Sequence, residues 1–293
     1  KGKTYRSLTS VFADGENPLL RDLQFTEEQR PIVAQIFSSK PEMIAYATRL
    51  VAELGFDGVD INMGCPDKTI EKQAAGAALI KNPKLAKEII NAAKKAANSF
   101  AETLNSTVVG NKVLPIPVSV KTRIGYNDEI LDEWLPALLS ANPAAITLHL
   151  RTRKEMSLVS ANWELMKKAV EIRNRVNPSV LLVGNGDVQD LEDAQAKAAE
   201  TGCDGIMLGR AMFGNPWIFN RQPPTINLQQ KLDALTELAY GFEKISPKNS
   251  APINASMVLA KMYCRARPMS LASPLERSKN SFMPSFCATS ESV

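Results

Sequence analysis

Short apolar runs alternate with amphipathic stretches along the first three quarters of the chain. The apolar runs are residues 31–37 (PIVAQIF), 58–64 (GVDINMG), 117–123 (PVSVKTR), 145–152 (AITLHLRT), 180–187 (VLLVGNGD) and 205–211 (GIMLGRA). Their richness in Val, Ile and Leu is typical of strands that are buried on both faces. Stretches with helical spacing of apolar residues lie between them, at residues 41–54, 83–98, 129–139, 163–175 and 191–200. This alternation predicts an α/β fold in which parallel strands are joined by right-handed crossovers.

Polar or reactive residues end almost every apolar run. They are Asn62 to Cys65, Lys121 and Arg123, His149 to Arg153, Asn185 to Asp187, and Gly209 with Arg210. A (β/α)8 barrel, the TIM barrel, builds its active site on a rim formed by the ends of several strands, whereas a doubly wound sheet binds ligands at one switch point. No GxGxxG motif follows a strand, so the dinucleotide-binding fingerprint is missing from this sequence. The pattern therefore favours a TIM barrel.

Six strand–helix units fall short of the eight that close such a barrel. The last two apolar runs contain the glycine turns 184–187 (GNGD) and 208–211 (LGRA). Turns of this kind are typical of the phosphate-binding loops after strands seven and eight. We therefore expect strands three to eight in this sequence, and the first two units before residue 1.

The strand–helix alternation ends near Pro223. We expect an N-terminally truncated barrel domain over residues 1–223 and a partial helical domain over residues 224–264. Within the second domain, helical spacing predicts helices at residues 226–245 and 255–262. Residues 265–293 are rich in Ser and Pro and lose all periodicity, so we expect a tail that is disordered or foreign to the fold.

Composition and charge exclude several classes of protein. No stretch approaches the roughly 18 apolar residues of a membrane-spanning helix, and the N-terminus has no apolar core of a signal peptide, so we expect a cytoplasmic protein. The four cysteines form no CxxC pair, and His149 is the single histidine, which argues against a zinc or multi-histidine metal site. A net charge of +4 does not by itself indicate nucleic-acid binding, although a local basic face would be compatible with it.

Six motifs in a fixed order resemble the tRNA-dihydrouridine synthase family. They are residues 60–66 (DINMGCP), 76–79 (GAAL), 120–125 (VKTRIG), 147–153 (TLHLRTR), 184–187 (GNGD), and 209–210 (GR) followed by 214–219 (GNPWIF). The likeness runs from about Gln35 to Phe219. It implies an FMN-containing TIM barrel with a C-terminal helical domain that binds tRNA. Such enzymes reduce uridines in tRNA to 5,6-dihydrouridine and recharge the flavin with NADPH or NADH, and we expect a monomer.

Cys65 follows a predicted strand, between Gly64 and Pro66. A free cysteine in such a place is commonly a small buried apolar residue. The resemblance implies instead that Cys65 is the catalytic acid, which protonates C5 of the uracil ring after hydride from reduced FMN reaches C6. An ordinary thiol, with a pKa of about 8.5, is mostly protonated at neutral pH and can serve as that acid.

The resemblance also implies a flavin pocket. Its expected members are Gln35, Lys121 and His149 around the flavin ring, and Asn185, Gly186, Asp187, Gly209 and Arg210 around the ribityl chain and phosphate. Each has a structural alternative: a polar residue at a strand end, a solvated strand terminus, a histidine satisfied within the core, or an ordinary glycine turn.

Asn62, Arg151 and Arg153 are the expected contacts with tRNA, although a solvated charged loop explains the two arginines equally well. One departure lies beside them, because the family has a small residue after the histidine and this chain has Leu150. Its branched side chain is expected to crowd the pocket.

The two ends of the sequence match the family less well than the middle does. The chain has no Ala-Pro-Met segment before Gln35, and residues 257–264 (MVLAKMYC) resemble the family's C-terminal domain only faintly. We therefore expect the chain as written to be an incomplete enzyme, poorly soluble or low in FMN because its flanking strands leave unpaired edges. The alternatives are another FMN barrel that acts on free pyrimidines, or a non-catalytic RNA-binding remnant, which would carry no flavin.

Overall fold

A computed structural model of the protein describes residues 23–107, 112–220 and 227–245. Six parallel strands form one sheet in the order β1-β2-β3-β4-β5-β6. The strands are β1 (Val33–Ile36), β2 (Gly58–Met63), β3 (Val118–Arg123), β4 (Ala145–His149), β5 (Leu181–Asn185) and β6 (Gly205–Met207). The order follows the chain without a reversal, so the described sheet has no switch point of the doubly wound kind. The predicted α/β fold with parallel strands is confirmed; closure of a barrel and two further units stay predictions.

Seven α-helices are present among the described residues. They are α1 (Pro41–Glu53), α2 (Lys68–Glu71), α3 (Pro83–Thr107), α4 (Leu131–Ser140), α5 (Glu164–Val176), α6 (Leu191–Thr201) and α7 (Leu228–Ile245). Short 3-10 helices lie at Glu27–Gln29, Gly76–Lys81 and Arg210–Met212. The predicted helix at 255–262, the tail at 265–293 and most of the boundary near 223 lie outside the described residues. None of the described helices is both long and apolar enough to cross a membrane.

Right-handed crossovers between sequential strands place all the connecting helices on one face of the sheet. That face carries the apolar core, since Ile61 of β2 and Val120 of β3 are fully buried there. Trp134 of α4 packs on it and donates a hydrogen bond from Nε1 to the Thr122 hydroxyl at 3.1 Å. Because side chains alternate along a strand, the residues between the apolar ones face the opposite side, away from the connecting helices of the described residues, and we call this side the helix-free face. Apart from Thr122, the polar residues of the described strands therefore lie on that one face.

Five of the six strands end earlier than their apolar runs suggested, and β4, β5 and β6 do so by two residues or more. The run at 145–152 becomes a strand only as far as His149, because Leu150 and Arg151 enter a turn in which Arg151 N–H donates to the His149 carbonyl. Leu150 was expected to crowd the cofactor pocket. It is instead 1% exposed and belongs to the main hydrophobic core. Hydrophobicity alone did not separate a buried loop residue from a buried strand residue.

Gly184 of β5 offers a test of this packing. A Cβ atom at this position would lie 2.6 Å from the indole ring of Trp163. That ring is held by a hydrogen bond from Nε1 to the Gly186 carbonyl at 3.0 Å. Gly184→Ala should therefore displace ring or strand and lower the free energy of unfolding by about 1–3 kcal/mol.

Urea unfolding followed by tryptophan fluorescence measures this change. Gly241→Ala in α7 is the matched control, because a Cβ atom there meets nothing within 4 Å. The control should leave stability unchanged or raise it by up to about 1 kcal/mol. A Gly184→Ala variant as stable as the control would contradict the packing of β5 against Trp163.

Candidate active site at the carboxyl ends of the strands

The predicted site residues of neighbouring strands face one another across the sheet. Asn62 of β2 is in register with Lys121 of β3, and His149 of β4 is in register with Asn185 of β5. All four lie on the helix-free face near the carboxyl ends of their strands. Parallel strands bring residues that are distant in sequence to one edge of the sheet, which is why the sequence predicted this convergence.

The turn that carries Cys65 is held by the side chain of Asn62. The Asn62 Oδ1 atom accepts hydrogen bonds from Gly64 N–H at 3.0 Å and from Cys65 N–H at 2.9 Å. Asn62 was predicted to contact tRNA; that role stays a prediction, and the structure adds this second one. The amide of Asn62 fixes the direction in which the chain leaves β2, and with it the position of Cys65.

A glycine completes the turn from the other side. The Cys65 carbonyl accepts a hydrogen bond from Ala77 N–H at 2.9 Å. A Cβ atom on Gly76, which has φ of +60°, would lie only 2.7 Å from that carbonyl oxygen. Gly76 is therefore required by close backbone approach, which accounts for the GAAL motif physically.

Arg123 anchors the same turn from β3. Its side chain is 1% exposed, and its Nε donates to the Gly64 carbonyl at 2.8 Å. Its Nη1 donates to the carbonyls of Thr152, at 3.3 Å, and Met156, at 3.1 Å. This guanidinium joins the loop after β2 to the loop after β4. The sequence showed Arg123 as one more polar strand end, and nothing in the pattern indicated which carbonyls it would bind.

His149 and Arg151 form a buried pair with Asp187. The Arg151 guanidinium donates to His149 Nε2 at 3.0 Å and to the Val159 carbonyl at 2.6 Å, and it forms an ion pair with Asp187. Arg151 is only 3% exposed. Arg151 was predicted to contact tRNA, and that contact stays a prediction. In this structure its guanidinium binds His149, Val159 and Asp187 within the protein.

These neighbours determine the protonation of His149. Burial, reinforced by the positive charges of Arg123, Lys121, Arg151 and Arg210, lowers the pKa of His149 to about 2. The ring is therefore neutral at physiological pH. Because a guanidinium can only donate, Nε2 must be the acceptor and the proton resides on Nδ1.

Asp187 gathers the loops after β4, β5 and β6. It accepts from Ala161 N–H at 2.8 Å and from Arg210 Nη2 at 3.0 Å, in addition to its ion pair with Arg151. Burial alone would raise the pKa of Asp187. The hydrogen bonds from Arg151 and Ala161 and the charges of Arg151 and Arg210 outweigh burial and lower that pKa.

The glycine turns beside Asp187 differ in the space around them. Gly186 has φ of +128°, and a Cβ atom there would lie 2.8 Å from Ala161 and 3.3 Å from the His149 ring. A Cβ atom on Gly209 would meet nothing within 4 Å. The next residue, Arg210, has a side chain that is 67% exposed and pairs with Asp187. Asn185, before these turns, donates to the Met207 carbonyl at 3.0 Å. The site thus has a tightly packed side at Gly186 and an open side at Gly209.

Gln35 lies at the opposite end of the site. Its Oε1 accepts from Asn62 Nδ2 at 3.0 Å, and its Nε2 donates to Asp60 Oδ2 at 2.7 Å. Asp60 is fully buried and also accepts from the Ser119 hydroxyl at 2.6 Å. Asp60 belongs to the DINMGCP motif, but nothing in the sequence indicated a role for it.

Arg153, the other predicted tRNA contact, is paired with Glu71 of α2. Its Nε donates to both carboxylate oxygens, at 2.9 and 3.0 Å. The guanidinium also lies 5.3 Å from the centre of the Tyr126 ring. Glu71 is 82 residues away in sequence, so no local pattern indicated this pair. Arg153 joins the helix after Cys65 to the loop after β4, and contact with RNA stays a prediction.

Among the described residues, no group of three or more His, Cys, Asp or Glu side chains is arranged to hold a metal ion. The side chains around His149 are instead four cations, Arg123, Lys121, Arg151 and Arg210, together with the carboxylate of Asp187. Such a set suits an anionic organic ligand.

Nuclear magnetic resonance can test the state of His149 directly. Because the chain has a single histidine, its ring signals need no assignment by mutation. Since the pKa of His149 is lowered to about 2, the ring shifts should not change between pH 5.5 and pH 8, a range in which an exposed histidine titrates. Nitrogen-15 correlation spectra should show the proton on Nδ1. Titration near the ordinary value, or a proton on Nε2, would contradict the pairing with Arg151.

Comparison with known proteins places this site in a family. The model of the family Dihydrouridine synthase (Dus) matches residues 9–263. A "Probable tRNA-dihydrouridine synthase 2" of Bacillus subtilis (strain 168) is 38% identical over 253 residues, which are 86% of this chain and 72% of that protein. A "Probable tRNA-dihydrouridine synthase" of Staphylococcus aureus (strain MRSA252) is 38% identical over 246 residues, 83% of this chain and 69% of that protein.

A solved structure of DHODH in complex with ferulenol from Eimeria tenella is 14% identical, with a TM-score of 0.39 over 59% of this chain and 49% of that one. The family match covers most of the chain and includes the turn of Cys65 together with every residue of the site described above. This chain belongs to the dihydrouridine synthase family.

Proposed function

We propose that this protein reduces uridine in tRNA to 5,6-dihydrouridine, with FMN as its cofactor and NADPH or NADH as its reductant. The observation that carries the proposal is the placement of Cys65. In a member of the dihydrouridine synthase family, this thiol follows β2, on the edge of the sheet where Lys121 of β3 and His149 of β4 also lie and where Arg210 follows β6. The function follows from the family together with a site whose chemistry fits it.

The residues present fit FMN. Four cations, Arg123, Lys121, Arg151 and Arg210, disfavour a proton on the ring of His149, and the carboxylate of Asp187 pairs with only two of them. FMN carries a phosphate, and its reduced ring carries further negative charge. The open space at Gly209, beside the exposed Arg210, leaves room for backbone approach to a phosphate. The charge and shape of the site therefore suit the cofactor.

FMN, when bound, supplies a hydride to C6 of the uracil ring and takes its electrons from NAD(P)H. We assign Lys121 to the flavin ring near N1 and O2, where a cation stabilises negative charge. Neutral His149 has its proton on Nδ1 and can donate one hydrogen bond to the flavin. We assign Gln35 to the flavin ring, and Asn185, Gly186, Asp187, Gly209 and Arg210 to the ribityl chain and phosphate.

Cys65 completes the reduction as a general acid. Its thiol proton goes to C5 of the uracil ring while the S–H electron pair stays on sulfur, and solvent later returns a proton to the thiolate. Geometry matters for such a transfer, because a donor must lie within hydrogen-bond reach of its target. Asn62 and Arg123 hold the turn of Cys65 and thereby position the acid.

Arg151, Arg153 and Asn62 remain our candidates for tRNA contact. The six strands are proposed to be part of an eight-stranded TIM barrel, and α7 to begin the helical domain that binds tRNA. A cytoplasmic location and a monomeric state complete the proposal.

The first test replaces the proposed acid. Cys65→Ala should retain FMN and its reduction by NADPH, but lose dihydrouridine formation on unmodified tRNA by about 10²- to 10⁴-fold, because a positioned acid contributes that much. Cys203→Ala is the matched control, since Cys203 is buried and donates to the Gly205 carbonyl, on the β6 side of the sheet. Near-normal dihydrouridine formation by Cys65→Ala, measured by mass spectrometry of digested tRNA, would refute the assignment.

The second test removes the cation assigned to the flavin ring. Lys121→Met should weaken FMN binding by about tenfold or more and slow flavin reduction by NADPH, because an interaction with a charged group is lost. Fluorescence titration with FMN and stopped-flow absorbance measure the two effects. Lys94→Met is the control, because Lys94 binds the carbonyls of Ala141 and Asn142, each at 2.7 Å, at the amino end of the sheet. Equal effects of both substitutions would show that Lys121 is structural.

A further inference from the structure

A chain of side-chain hydrogen bonds runs from a buried carboxylate to the turn of Cys65. The Ser119 hydroxyl donates to Asp60 Oδ1 at 2.6 Å, and Gln35 Nε2 donates to Asp60 Oδ2 at 2.7 Å. Asn62 Nδ2 donates to Gln35 Oε1 at 3.0 Å. Asn62 Oδ1 then accepts the N–H groups of the turn. We call Asp60, Gln35 and Asn62 together the amide relay.

The direction of the amide relay is fixed at both of its ends. At one end, the ionised carboxylate of Asp60 has no proton to donate, so it can only accept a hydrogen bond from the amide of Gln35. At the other end, the backbone N–H groups of Gly64 and Cys65 can only donate. A side-chain amide has an acceptor on one side and a donor on the other, so reversal of either amide would set two acceptors or two donors against each other. A single arrangement satisfies all four contacts.

The protonation state of Asp60 does not reverse this arrangement. Burial raises the pKa of Asp60, against the hydrogen bonds from Ser119 and Gln35 and the charge of Lys121, which lower it. A proton on Oδ1 would be donated to the Ser119 hydroxyl, which can accept it, and Oδ2 would still accept from Gln35. The acceptor that faces Gln35 is present in both states.

We propose that Asp60 is a positioning residue for Cys65, which acts through the amides of Gln35 and Asn62 to hold the acid's turn in its working position. This inference rests on the proposed function for its catalytic meaning. A strand position that is fully buried ordinarily takes an apolar side chain, since burying a carboxyl group is costly. The buried acid at Asp60 supplies what no apolar residue can, an acceptor that orients Gln35.

The capacity of the two amides allows this role beside a ligand. Each amide has two N–H donors and two acceptor lone pairs. The relay uses one N–H donor and one lone pair of Gln35, so the second N–H donor and the second lone pair are available to the flavin. Orientation by Asp60 would thus also decide which group Gln35 presents to a ligand.

Two nearly isosteric substitutions of Asp60 distinguish the effect of its hydrogen-bond acceptor from the effects of its shape and its charge. Asp60→Asn keeps an oxygen toward Gln35, because its new N–H₂ group can donate to the Ser119 hydroxyl. Asp60→Leu keeps the branched shape and provides no acceptor. The readouts are hydrogen exchange of the Gly64 and Cys65 amides, which needs no catalysis, and the separate rates of flavin reduction by NADPH and of flavin oxidation by tRNA.

Asp60→Leu is expected to speed exchange of the two amides by about tenfold, the effect of one lost hydrogen bond. It should slow flavin oxidation by tRNA by about tenfold to a hundredfold, because a small misplacement of a reacting group has effects of that size. Flavin reduction by NADPH should slow less than flavin oxidation by tRNA, because protonation by Cys65 belongs only to the second of these reactions. Asp60→Asn should behave like wild type in all three measurements.

Asp57→Asn is the matched control. Asp57 precedes β2 at the opposite end of the sheet, where it accepts from Ile32 N–H at 2.7 Å and from Arg30 at 3.1 Å. Its substitution should leave exchange at Gly64 and Cys65 unchanged. If Asp60→Leu does not fold, Gln35→Met breaks the relay while leaving Asp60 with Ser119, and it should speed the same exchange by about tenfold.

Unchanged exchange in Asp60→Leu or Gln35→Met would overturn the inference. So would an Asp60→Asn variant as impaired as Asp60→Leu, since charge rather than orientation would then be responsible. Absence of dihydrouridine formation by the wild-type protein would instead refute the proposed function, and the exchange measurement would still decide the relay.

Discussion

The site depends most on the hydrogen bonds between the side-chain amide of Asn62 and the backbone of the turn that carries Cys65. Its oxygen accepts two successive backbone N–H groups, those of Gly64 and Cys65. Without it, the chain leaving β2 would have two unpaired donors beside the sheet and no fixed direction. The other supports of the turn, Arg123 at the Gly64 carbonyl and the close approach of Gly76, act on the same few atoms. The half-buried side chain of Asn62 thus connects β2 to the turn that carries the thiol of Cys65.

Charge at the strand ends is arranged around a neutral histidine. Arg123, Lys121, Arg151 and Arg210 all disfavour a proton on the ring of His149. Asp187 holds two of these cations and joins three loops, so the loops after β4, β5 and β6 share one electrostatic anchor. The neutral imidazole of His149 can therefore donate a hydrogen bond without a change in its charge.

The sequence predicted the positions of the strands because each is a short run rich in Val, Ile and Leu between two helical stretches, and that alternation is visible in the sequence. It also predicted that Gln35, Cys65, Lys121 and His149 would converge, since the carboxyl ends of parallel strands meet at one edge. The pattern did not extend to α2, which is four residues long and is capped by Asp67. Short helices of this kind have no periodicity to detect.

The ion pairs between loops could not be predicted from the sequence for a different reason. Arg151 and Asp187 are 36 residues apart, and Arg153 and Glu71 are 82 apart. A charged residue in a loop resembles a solvated one until the partner loop is placed against it. Asp60 was hidden in a similar way, because its role depends on the order of amides on two strands rather than on its own neighbours in sequence.

The central claim is that reduced flavin in this site passes its electrons to uridine in tRNA. The most direct measurement mixes the flavin-reduced protein, without oxygen, with tRNA that lacks dihydrouridine, and follows flavin absorbance together with the product. The account predicts that flavin is reoxidised with one dihydrouridine formed per flavin, and that free uracil or uridine has little effect. Reoxidation by free pyrimidines but not by tRNA would contradict the account.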